Sequence, residues 1–215
     1  MSDSRAAIFG RISKALGHDT SVDAPVVVQR LHERPRGPQP RWTGTPTERF
    51  LAKLAKVSAT HAEVASPTGI VQAVQDYLAA QNLPPHLVAA PHPLLNELAW
   101  PEGWQVARRR AQGDDRVGLA VAFCAIAETG SLMLLAGPDS PTTLNFLPDD
   151  FLCLLPESRI VPRMEDAWDL LRAGRGALPR STNIVTGPSR TADVEQTIQL
   201  GAHGPRRLHV LLLKD

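Results

Sequence analysis

The stretch FLCLLP, residues 151–156, decides the fold. A short, wholly apolar run has no polar face to turn toward water. It reads as a strand covered on both sides, the kind found at the centre of a parallel sheet. Parallel neighbours need crossover connections, so helices should separate the strands.

Working outward, the chain supplies both. Before this run, GSLMLLAG (130–137), RVGLAVAF (116–123), GWQVARR (103–109), HLVAA (86–90) and HAEVA (61–65) read as strands. After it, STNIVTG (181–187) and RRLHVLLL (206–213) do the same. Between them, ERFLAKLAKVSA places Phe50, Leu51, Leu54 and Val57 on one helical face, with Thr47 as its cap. Pro67 opens a second helix in SPTGIVQAVQDYLAAQN, and PLLNELAW reads as a short one. MEDAWDLLRAG ends at Gly174, and SRTADVEQTIQL (189–200) has helical spacing with Gly201 beyond it. Residues 47–215 are therefore expected to form an α/β domain with a mostly parallel sheet sandwiched by helices.

Residues 1–46 differ. Ala7, Ile8, Ile12, Ala15 and Leu16 keep helical spacing up to Gly17. From His18 to Thr45 the period is lost and prolines accumulate, as in an extended arm. Arg30, Arg34, Arg36 and Arg41 either face water or grip an acidic partner or phosphate.

The 215 residues are 43% hydrophobic and 21% charged, with a net charge of +1. This is globular composition without a field that would draw nucleic acid. Two cysteines, Cys124 and Cys153, lie inside apolar runs and read as core thiols. A disulfide framework or an iron–sulfur site needs more. The N-terminus lacks a signal-type apolar core, and the longest apolar run is far short of a bilayer span. The reading is a cytoplasmic protein with no membrane span and no nucleic-acid partner.

No P-loop, HExxH, GxSxG or GxGxxG is present, and the seven histidines are scattered, so no metal site is expected. Three clusters remain. Glu128-Thr129-Gly130-Ser131 interrupts an apolar run, so a sharp turn holding a desolvated carboxylate is expected. Gly187-Pro188-Ser189-Arg190-Thr191-Ala192-Asp193 joins a strand to a helix. Its hydroxyls either cap that helix or help its N-terminus hold an anion. Gly201-Ala202-His203-Gly204-Pro205 turns into the last strand, with His203 either structural or a proton carrier.

AIAETGSL, FLCLLPESRIV, NIVTGPSRTADVE and GAHGPRRLHVLLL, in this order, resemble the lactate-utilization protein C family, whose core is the LUD domain. Ala120 stands where that family often has threonine. The resemblance implies a fold similar to glucosamine-6-phosphate deaminase, ribose-5-phosphate isomerase and CoA-transferases. It implies an accessory, non-redox role in oxidising L-lactate to pyruvate, with no cofactor on this chain and iron–sulfur clusters in partner proteins. Glu128 followed by Gly130 resembles the nucleophilic glutamate of class I CoA-transferases, which makes Glu128 the catalytic candidate. That likeness suggests an autonomous enzyme acting on a small anionic metabolite as the alternative. Thr129, Gly130, Ser131, Gly187, Pro188, Ser189, Thr191, Asp193, His203 and Gly204 are the ligand-binding candidates. The turn at 128–131 and the loop at 187–193 are expected together where loops leave the C-terminal ends of parallel strands. His203 and Gly204 are expected on the opposite edge unless the last strand is antiparallel or the helix short.

Overall fold

The computed structural model describes residues 2–17, 24–174, 177–191 and 199–214. It divides into two units, Met1–Trp42 and Thr43–Asp215. The first holds helices α1 (Ser2–Leu16) and α2 (Ala24–Glu33). Helix α2 lies where the sequence suggested an extended arm. Its valines at 26, 27 and 28 blurred the period, and all three are exposed.

The second unit begins with α3 (Pro46–Lys56), and its cap is Thr45 rather than Thr47. Thr45 Oγ1 accepts from the Glu48 amide at 3.2 Å, and the Glu48 carboxylate accepts from the Thr45 amide at 2.8 Å. This reciprocal box satisfies two amides that the first helical turn leaves unpaired. Phe50 and Leu54 enter the core from this helix.

The central sheet has six strands: β1 (Thr60–Val64), β2 (His86–Ala89), β3 (Gln105–Arg108), β4 (Val117–Val121), β7 (Asp150–Pro156) and β12 (Arg207–Leu213). Their order is β1-β12-β7-β4-β2-β3, and every pairing is parallel. FLCLLP occupies β7, an inner strand buried from Asp150 to Leu155. Helices α4 (Ile70–Ala80) and α5 (Pro93–Asn96) lie in the β1–β2 and β2–β3 connections. Pro67 opens a single 3-10 turn ahead of α4.

A second sheet of four strands was not foreseen. Its order is β8 (Ile160–Val161), β5 (Cys124–Ile126), β6 (Ser131–Leu135) and β9 (Thr182–Val185). Helix α6 (Met164–Gly174) covers it, closing a small core of Cys124, Ile126, Met133, Leu135, Ala167 and Leu171. Three residues of β5 and two of β8 are too short for a sequence pattern to reveal. The expected helix over 189–200 is also corrected at both ends. Arg190–Thr191 (β10) and Gln199–Leu200 (β11) pair as antiparallel strands.

Candidate functional site

Glu128 to Gly130 form the turn of the β5–β6 hairpin. Gly130 adopts φ +75°, and the Gly130 amide donates to the Ile126 carbonyl at 2.9 Å. A Cβ at Gly130 would lie 2.6 Å from Lys53 Cβ, so the hairpin tip is backed directly onto α3. Gly187 repeats the arrangement one turn along: φ is +79°, and a Cβ would meet Val57 Cγ2 at 2.7 Å. Only residues without a side chain let both segments reach the end of one helix.

The same approach aligns hydroxyls. Ser131 Oγ is 2.7 Å from Thr129 Oγ1 and 2.6 Å from Thr186 Oγ1. Ser131 is buried, whereas Thr129 and Thr186 are exposed. Glu128 is half-buried, and its carboxylate accepts the Met164 amide at 3.4 Å, at the first residue of α6. A carboxylate there complements the helix dipole. The acid in the apolar run is thus held against a helix N-terminus.

The second and third clusters meet. The Ser189 amide donates to the Pro205 carbonyl at 2.8 Å, and the Gly201 amide to the Ser189 carbonyl at 3.1 Å. Ser189 Oγ accepts the His203 amide at 3.3 Å. Gly204 packs close to Ser189, where a Cβ would lie 3.3 Å from its Cβ. Pro188 is buried beside Gly187, and the His203 side chain is exposed. Arg190 donates to the Val57 carbonyl at 3.1 Å and to Ser58 Oγ. Thr191 lies in β10, so the Ser189 region is a strand-paired loop and not a helix N-terminus. Asp193 lies outside the described residues.

A further polar group escaped the sequence reading. Asp150, fully buried, accepts from Arg207 Nη2 at 2.6 Å and from the Tyr77 hydroxyl at 2.7 Å. The Asp150 hydrogen bond pushes the Arg207 guanidinium pKa up, and burial with Asp150 does the same to Tyr77. Tyr77 stacks on His209, with ring centroids 4.5 Å apart. His209 Nδ1 shares a hydrogen with Thr60 Oγ1 at 2.8 Å. Burial, aided by His61, pulls the His209 pKa down to about 4, so the ring is neutral at pH 7. A visible signal existed: Asp150 and Arg207 open their strands and stand opposite each other in register.

Among the described residues, no group of three or more His, Cys, Asp or Glu could hold a metal ion. Both cysteines are buried, and burial raises the Cys124 thiol to about 12 and Cys153 higher still.

Residues 99–213, more than half of the chain, match the LUD domain family. The chain belongs to the LUD domain family. Among curated relatives, "Lactate utilization protein C" of Anoxybacillus flavithermus is 34% identical over 116 residues, covering 52% of each chain. The Bacillus subtilis protein of the same name is 34% identical over 102 residues, which is 46% of this chain and 42% of that one. The chain spans about half the length of the curated relatives it matches. A crystal structure of a DUF162 family protein from Deinococcus radiodurans superposes with a TM-score of 0.57 at 19% identity. It covers 80% of this chain and 99% of that one, which shows a shared fold. All three sequence clusters lie in the part matched to the LUD domain. No helix among the described residues is long and apolar enough to cross a membrane.

Proposed function

We propose that this LUD domain protein is an accessory, non-redox component of a system that oxidises L-lactate to pyruvate. It binds the iron–sulfur proteins that carry the electrons, or presents the small anionic substrate to them. The similarity to proteins named lactate utilization protein C carries the reading. The state of the two thiols supports it. Cys124 and Cys153 are core residues held protonated, and an iron–sulfur cluster takes thiolates. The test is lactate-dependent electron transfer in the native complex, purified with and without this chain. Co-purification and loss of transfer on its omission are expected. Full transfer without it would overturn the assignment.

A second reading, an autonomous enzyme of CoA-transferase or sugar-phosphate-isomerase type, rests on the hairpin tip. There the half-buried Glu128 and the exposed Thr129 stand at the turn where Gly130 packs against α3. Under the accessory reading Glu128 positions α6 and attacks nothing. Glu128→Gln keeps the acceptor oxygen, so lactate-dependent growth and melting temperature should both stay close to the parent. A folded Gln variant that cannot support growth would favour the nucleophile.

A further inference from the structure

Strand β1 is an edge of the central sheet: among the described residues it pairs with β12 alone. In a parallel ladder, alternate residues send both backbone groups to the neighbour. Val64 is one of these, since its carbonyl accepts the Lys214 amide at 2.9 Å. Thr60 and Ala62 share that phase. His61 and Glu63 therefore aim their amides and carbonyls away from the sheet, and both residues are exposed. Edges of this kind are usually blunted by proline, a bulge or inward charge. THAEV has neither proline nor bulge, and its one carboxylate, Glu63, is held by Lys214 at 3.5 Å. The opposite edge, β3, runs into Arg108-Arg109-Arg110 and would repel a copy of itself.

We propose that β1 is a self-association surface, and that its partner is β1 of a second copy, joined antiparallel about a two-fold axis at Ala62. In that register His61 faces Glu63 of the partner subunit, and Glu63 faces the partner's His61. Both residues point their free backbone groups outward, so the two pairs close four hydrogen bonds between main chains. Ala62 meets its own copy at the axis, in a non-hydrogen-bonded pair where the Cα atoms come closest. A small side chain suits that position. Shifting the axis to Glu63 would oppose two carboxylates, which disfavours that register. The contact is isologous and closes at two copies.

The neighbouring surface agrees. A groove of about 540 Å³ lies between β1 and α4, lined by Ala62, Ala73 and Ala80 and by the larger Gln72, Asp76 and Tyr77. The two-fold axis is perpendicular to the sheet, so it brings the partner's α4 to the same face.

Sedimentation velocity on the full chain over roughly 1–100 µM, a range that spans typical self-association, reads the outcome. The parent should be dimeric within it. His61→Pro removes only an outward amide, which edge strands tolerate, and should weaken the dimer at least about tenfold with melting temperature retained. His61→Glu should also dissociate it, by opposing two carboxylates. His61→Glu combined with Glu63→Lys restores opposite charges and should recover the dimer. A monomeric parent across this range, a dimer indifferent to His61→Pro, or a charge-swapped variant that stays monomeric overturns the proposal.

Discussion

Gly130 shows how much can rest on a missing side chain. Its φ of +75° disfavours any Cβ, and α3 occupies the place where one would go. Gly130→Ala should cost about 2 kcal/mol or more, from left-handed strain plus overpacking against Lys53. Gly174, with open space around it and no positive φ, is the control: Gly174→Ala should stay within about 0.5 kcal/mol in the same urea titrations. His209 makes a different prediction. Its folded pKa of about 4 lies below the unfolded value of about 6.5. The unfolded chain binds the extra proton between these values, so this contribution is intact above pH 6.5 and is lost as pH falls toward 4. The loss is about 3 kcal/mol. Stability at pH 7.5 and 4.5 should differ by that much more in the parent than in His209→Gln. The turn at AETG could be read from its own letters, because a glycine and three polar residues interrupt an apolar run. The Tyr77–Asp150 bond could not, since it joins residues 73 apart through folding alone.

At the scale of elements, the core strands declare themselves and the caps and short ladders do not. TPTE carries two threonines, and only the reciprocal bonding with Glu48 distinguishes Thr45 as the cap. Thr45→Ala should lower stability by about 1 kcal/mol in thermal or chemical melts, whereas Thr47→Ala should be close to neutral. The two described ends of the segment 189–200 show the opposite failure. Their spacing favours a helix, yet Arg190 bonds to the end of α3 and its neighbours pair in β10 and β11. Strand pairing at those ends, with the Arg190 bond to α3, overrode local preference. The hairpin β5–β6 had a legible second strand, but Cys124–Ile126 was not distinguished as a strand, because no polar residue separates it from the apolar run before it.

For the whole molecule, Asp150 ties β7 to β12 and α4 through Arg207 and Tyr77. Asp150→Ala should cost about 2–3 kcal/mol by equilibrium denaturation. This is at or below the low end of the roughly 3–5 kcal/mol for breaking a buried pair, because Arg207 remains 42% exposed and regains water. The parallel sheet followed from FLCLLP. The order of its strands did not, because β1 lies beside β12, which no local pattern encodes. That neighbourhood also governs when the molecule can assemble. Thr60 meets His209 across 149 steps of chain, so β1 waits for the far later β12 before it has a ladder among the described strands. On a ribosome, β1 would remain without a ladder partner until β12 emerges. Completion of the sheet is therefore a late, high-contact-order event, and chains cut short of β12 leave β1 without its only neighbour among the described strands.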